Sequence, residues 1–203
     1  MAKKNKMSSL KERIPKERNR ALALFEKYGG FIHGHTEFND GFHSSGYVEK
    51  MNVLKYPKAM EIIAEELAEL FADTRIDVVC GPVHIGAILG YSVANQLNVP
   101  FTLTYIEVRT GETFFHRAFH PKSERLLFVD DFIVSGKNVS RNLSFFDNEQ
   151  INCVGIAAIG AKNPPDTQIP IRFLFETPFE KISPRQCRQC LNHVPLTYRN
   201  VRE

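Results

Sequence analysis

Residues 126 to 140, LLFVDDFIVSGKNVS, set two adjacent carboxylates, Asp130 and Asp131, at the end of an apolar run, followed by a Ser135-Gly136 turn and an amphipathic stretch. This order suits recognition of a sugar phosphate. In an open α/β sheet, ligands sit beyond the carboxyl end of a strand, where the next helix begins and its first backbone N–H groups lack intrahelical partners. Such donors favour a phosphate. Gly136 lets the backbone approach closely, and Ser135 adds a hydroxyl donor. The acidic pair can accept ribose hydroxyls or hold a magnesium-bound substrate. The same pattern also serves a strand ending in a solvated acidic turn, with Ser135 as helix N-cap.

Three other segments carry residues of interest. Gly81-Pro82-Val83-His84-Ile85-Gly86 flanks a turn with two glycines and could cradle a diphosphate through backbone N–H groups, or form an ordinary Gly-Pro turn. The stretch Glu107 to Phe119 holds Arg109, His116 and Arg117, cations suited to a mobile lid over a leaving diphosphate or to a solvated hairpin. Residues 33 to 50 are rich in glycine, histidine, serine and aromatics, and read as a loop enclosing a flat ring, with Phe42 or Tyr47 against its face. His33, His35 and His43 lie there without an acidic or cysteine partner at ligand spacing, which argues against a metal. Of the four cysteines, Cys80 and Cys153 sit in apolar runs and read as buried thiols. Cys187 and Cys190 form a C-x-x-C with His193 three residues on, which reads first as a reduced cytosolic turn, then as candidate zinc ligands, and last as a redox pair.

The elements that must position these groups follow from periodicity. Met60, Ile63, Leu67 and Leu70 recur at helical spacing between Pro57 and Phe71, opposite a polar face of Glu61, Glu65, Glu66 and Glu69. A strand over Ile76–Cys80, a helix from about Gly86 to Leu97 and a strand from Phe101 to Val108 follow. After the polar segment come a strand at 125–129, a helix from Gly136 to Asp147, and strands near 151–159 and 171–175. This alternation predicts an α/β fold with a doubly wound, mostly parallel sheet and right-handed crossovers. The loops after its strands then share one edge, where the candidate residues would converge.

With 203 residues and 43% hydrophobic content, the chain is long enough to bury one full core. The formal net charge is +3, yet eight Lys and Arg side chains face only Glu12 and Glu17 in the first twenty residues. We expect residues 1–20 to be a basic, flexible arm and residues 21–203 a single domain. The arm's nucleic-acid contact is the less favoured reading beside a solvated terminus. No apolar run follows these charges and none reaches the length of a membrane span, so a soluble cytoplasmic protein is expected.

From about residue 22 to 197 the chain resembles the type I phosphoribosyltransferases, and within them orotate phosphoribosyltransferase-like proteins. Asp130-Asp131 with Ser135-Gly136 looks like the family's PRPP motif. Gly34-His35 through Tyr47 is similar to the base-enclosing region of one branch, Gly81-Pro82 to Gly86 to the diphosphate loop, Arg117-Ala118-Phe119 to an R-R-G-F segment, and Cys187…Cys190 with Pro195-Leu196 to a C-x-x-C…P-L tail. The resemblance implies that a nucleobase nitrogen displaces diphosphate from C1 of PRPP, with Mg2+ bridging the diphosphate and ribose hydroxyls. It assigns Asp130 and Asp131 to the ribose and metal, and Ser135, Gly136, Lys137 and Asn138 to the 5′-phosphate. Gly81, Pro82, Gly86, Arg109, His116 and Arg117 fall to PRPP and its diphosphate, with Arg117 counted beside the two acids as catalytic. His43, Ser44, Tyr47 and Phe42 fall to the base. It also implies a hood formed by N-terminal and C-terminal segments, a homodimer sharing its lid, and orotate as the default base. The sequence departs from the pattern at Asn138 (a hydroxyl residue in the family), Asp40, His116 and Ala118. The rival readings are a non-catalytic PRPP or nucleotide-binding regulator and a transferase for another base.

Overall fold

The computed structural model describes residues 11–13, 19–107, 109–117 and 119–201. Among these, the elements run β1 (Lys11–Arg13), α1 (Arg20–Lys27), β2 (Phe31–Phe38), β3 (His43–Val48), α2 (Met51–Leu54), α3 (Pro57–Glu69), β4 (Val78–Pro82), α4 (Ile85–Leu97), β5 (Phe101–Ile106), β6 (Thr113–Phe115), β7 (Leu126–Ile133), α5 (Lys137–Asn148), β8 (Cys153–Ala161), β9 (Ile171–Glu176), α6 (Arg188–Leu191) and β10 (Tyr198–Val201). Seven strands form one sheet in the order β1-β9-β8-β7-β4-β5-β6, parallel except for the β5–β6 hairpin. The expected α/β architecture is present.

Alternate residues of the inner strands feed two apolar layers, as a sheet covered on both faces requires. Val79, Leu127, Val129, Ala157 and Ile159 pack under α1, α3 and α4. Val78, Cys80, Leu126, Phe128 and Ile156 pack on the other face against Val139 and Phe146 of α5. Leu127 and Phe128, neighbours in sequence, are both fully buried in opposite layers. Each such side chain contributes roughly 1.5–3 kcal/mol by leaving water.

β2 and β3 pair antiparallel, and β10 adds to β2 in parallel, so N-terminal and C-terminal segments together build a small second sheet, the hood. Residues 33–50, read from sequence as a loop, are therefore mostly hairpin. Its Ser, Tyr and Val residues tolerate the pleat, and Gly46 lies where a Cβ would meet Ile32 O at 2.2 Å. The lid segment likewise contains β6.

The basic arm is divided. Residues 1–10 and 14–18 lie outside the described residues, Lys11–Arg13 pair with β9 at the sheet edge, and Arg20 opens α1. Asn19 caps that helix by accepting from the Leu22 amide at 2.8 Å, and its own amide donates to Leu174 O in β9. Glu66, on the polar face of α3 in the sequence pattern, is buried. Its two oxygens accept the amides of Arg20 and Ala21 at 2.9 and 2.7 Å, satisfying free donors at the α1 N-terminus. No helix among the described residues is long and apolar enough to cross a membrane.

Candidate active site

A cleft of about 610 Å3 opens between the carboxyl edge of the main sheet and the hood. Its floor is the end of β7. The strand runs past the acidic pair to Ile133, further than the five residues predicted, so both carboxylates emerge from within it and are buried. Asp130 Oδ2 accepts from Asn138 Nδ2 at 2.7 Å, and Asp130 Oδ1 accepts the Asp131 amide at 2.9 Å. Asp131 Oδ2 accepts from Lys50 Nζ at 2.5 Å, while its Oδ1 accepts the Phe132 amide at 2.6 Å. Burial, and then the adjacent Asp131 carboxylate, raise the Asp130 carboxyl well above the usual carboxylate range, against the opposing pull of Asn138 and Lys50.

Ser135, Gly136, Lys137 and Asn138 line the next wall, where α5 begins. The helix N-cap is Gly136, not Ser135. Gly136 has φ 71°, a left-handed conformation, and a Cβ there would lie 2.9 Å from the Pro165 ring. Without a side-chain cap, the first amides of α5 are left to whatever occupies the cleft. Pro82 to Gly86 contribute the turn from β4 into α4, which includes a cis Val83–His84 peptide. Gly81 lies just behind this turn, where a Cβ would meet Gly86 O at 2.2 Å, so the chain can fold back only with glycine at this position.

The hood supplies Phe38, Ser44 and Tyr47, and the segment after β9 supplies Phe179 and Lys181. Ser44 Oγ is buried and has no hydrogen-bond partner. Phe42 and His43, the other two residues assigned to the base, do not line the cleft: Phe42 is exposed beside the hairpin turn and His43 points to the opposite side of the hood. Arg109, His116 and Arg117 are exposed on and beside the β5–β6 hairpin and do not line the cleft of their own chain. Ala118 is outside the described residues.

Lys50 is the residue the sequence reading missed. It terminates the hood segment as the residue preceding α2, and it reaches a carboxylate 81 positions further along the chain. No local spacing announces such a contact. The donor set fits the Mg2+ that the family implies: a hard cation taking oxygen ligands would find two adjacent carboxylates at the cleft, with substrate oxygens and water to complete its shell.

The model of the phosphoribosyl transferase domain matches residues 51–182, more than half of the chain. The chain belongs to the phosphoribosyltransferase family. This phosphoribosyltransferase is 30% identical over 183 residues to the orotate phosphoribosyltransferase of Caldanaerobacter subterraneus subsp. tengcongensis, covering 89% of this chain and 95% of that one. It is 29% identical, with the same coverage, to its namesake from Thermoanaerobacter sp. strain X514. The fold matches the crystal structure of the orotate phosphoribosyltransferase from Aeropyrum pernix (TM-score 0.64, 17% identity, 76% of this chain and 93% of that chain). It also matches adenine phosphoribosyltransferase from Leishmania donovani (TM-score 0.65, 12% identity, 85% and 86%). Membership makes the chain an enzyme of PRPP-dependent phosphoribosyl transfer, and the cleft lies where that fold family's α/β edge would carry it.

Proposed function

We propose that this phosphoribosyltransferase joins orotate to PRPP, forming the nucleotide and releasing diphosphate. The observation that carries the assignment of PRPP is the end of β7: two buried carboxylates facing the uncapped amides of α5 across one cleft. Asp130 and Asp131 accept the ribose hydroxyls. The amides after Gly136, with Ser135, Lys137 and Asn138, hold the 5′-phosphate. The Pro82–Gly86 turn and Lys50 hold the diphosphate. Asp130 and Asp131 would hold a Mg2+ ion, which would supply charge neutralisation for the leaving diphosphate. The chain's own work is positioning and electrostatic stabilisation, in a site where fixed donors need no reorganisation as charge moves onto the leaving group.

Orotate is favoured by the named relatives and by the base side of the cleft. Tyr47 and Phe179 offer faces for a flat ring, and Ser44 Oγ a hydroxyl for a polar ring substituent, while Lys181 on the same wall donates to Asp40 at 2.9 Å. The exposed cations of the β5–β6 hairpin, together with exposed Tyr105 and Phe114 on the same hairpin, suit a homodimer in which each chain places Arg117 over the other's cleft. The test is diphosphate release from PRPP and Mg2+ across orotate, uracil, purine bases and nicotinate, with a no-base control. Release with orotate alone is expected. Release with a different base would replace the substrate, and PRPP binding without release for any base would turn the reading to a regulator.

A further inference from the structure

On the face of the hood away from the cleft, four side chains from distant parts of the chain point at one another: His35 on β2, His43 at the start of β3, and Cys187 and Cys190 at α6. Their ligating atoms lie within 4.8 Å of one another. His35 Nε2 is 3.1 Å from His43 Nδ1, 3.4 Å from Cys187 Sγ and 3.6 Å from Cys190 Sγ, and Cys190 Sγ is 3.2 Å from His43 Nδ1. A tetrahedral zinc with bonds of about 2.0–2.3 Å requires ligand edges of about 3.3–3.8 Å, close to this spacing.

The imidazoles are oriented for metal. His35 Nδ1 lies 2.7 Å from Val194 O, an acceptor only, so Nδ1 carries the proton and Nε2 presents its lone pair to the cluster. On His43 the distal nitrogen, Nε2, faces the Glu37 carboxylate at 4.0 Å, which favours a proton there and a lone pair on Nδ1. Two imidazole lone pairs therefore meet two sulfurs in a buried site. The peptide that brings the sulfurs has little else to hold it. The short helical turns over 184–186 and 188–191 bury no residue of their own, and Leu191 and Val194 are exposed. Of this segment only Cys187 is buried, and it faces the cluster. A segment without its own core needs a staple.

We propose that His35, His43, Cys187 and Cys190 form a structural Zn2+ site that fastens the C-terminal tail to the β2–β3 hairpin. On binding, the two thiols release their protons to solvent, and the two thiolates with two neutral imidazoles leave the site formally uncharged. All four positions are filled by protein, the closed arrangement of a structural rather than a catalytic zinc. The pair Cys187 and Cys190 was legible from sequence. His193, their neighbour, is exposed and outside the cluster; the histidines that complete it lie about 150 positions upstream, where sequence spacing alone argues against a metal. The site also reaches function, because Ser44 follows His43 directly and lines the cleft.

The full, untagged chain, purified without chelator and desalted, should contain about one zinc per chain by mass spectrometry of the metal. Cys190→Ser should hold at least about tenfold less, and Cys153→Ser should match wild type. As a measurement independent of any variant's folding, Co2+ added to the metal-stripped wild-type chain should give the visible absorption of tetrahedral thiolate coordination, saturating at one equivalent and displaced by zinc. A folded wild-type chain that contains no stoichiometric metal and takes up no Co2+ would overturn the proposal and leave a hydrogen-bonded thiol–imidazole cluster. Neither readout involves PRPP or a base, so the outcome is separate from the assignment of the reaction.

Discussion

Asp130 shows how the site works against the fold. Its carboxyl is raised in the folded state, first by burial and then by Asp131. A group of that kind contributes stability at pH values below its ordinary carboxylate value, and the contribution is lost as pH rises through the folded value. At neutral pH an ionised Asp130 is thus a cost of keeping a carboxylate ready for hydroxyls. Asp130→Asn should raise Tm at pH 8 relative to wild type, by about 2–4 °C for each kcal/mol recovered, and the gain should shrink toward pH 4. The same variant should lose at least about a hundredfold in kcat/KM. An unchanged or lower Tm at pH 8 would mean that Asn138 and Lys50 fully offset the burial. At this scale, legibility followed distance along the chain. Asp130, Asp131, Ser135, Gly136 and Asn138 fall within nine residues and could be read together, whereas Lys50 and the histidine–cysteine cluster depend on contacts spanning 81 to 155 positions.

At the scale of elements, the parallel core was readable because buried strands are continuous apolar runs with helices between them. The hood was harder to read. Its strands carry glycine, histidine and serine in place of an apolar alternation, because part of each strand serves the cleft or the cysteine cluster instead of a core. β10 is four residues whose pairing with β2 is set by the fold, not by its composition. The main layers are also tied by charge. Arg172 of β9 is buried and donates to Leu70 O and, twice, to the Asp73 carboxylate beyond the end of α3. Those hydrogen bonds hold the Asp73 pKa down at about 2. A lowered carboxyl contributes stability above its ordinary value that is lost as pH falls through the folded one. Acid unfolding between about pH 4 and pH 2 should therefore be shallower in Asp73→Asn than in wild type, with the variant less stable at pH 7, as read by denaturant titration across that range. Equal slopes would remove the pair from the account.

For the whole molecule, the separation of the cleft from the β5–β6 hairpin makes the proposed sharing of Arg117 between subunits testable. If Arg117 serves the neighbouring subunit, then chains carrying Arg117→Ala and chains carrying Asp130→Asn, each nearly inactive, should recover about a quarter of wild-type activity when mixed and allowed to exchange. Half the dimers would then be mixed, each with one complete site. No recovery from a mixture shown by light scattering to contain mixed dimers would place Arg117 over its own cleft or out of the reaction.

The distribution of sulfur has one more consequence. Cys80 is fully buried in the main sheet and Cys153 half-buried at the start of β8, and burial raises both thiols, the latter to about 12, out of the range in which a thiolate attacks. The two remaining cysteines lie where the C-terminal tail meets the β2–β3 hairpin, on the side of the hood away from the cleft. Alkylation of the native metal-loaded chain should thus be slow at Cys187 and Cys190 and speed up once a chelator strips the site, whereas Cys80 should react only on global unfolding. Sulfur at the tail would then report on the metal, and sulfur in the sheet on the fold.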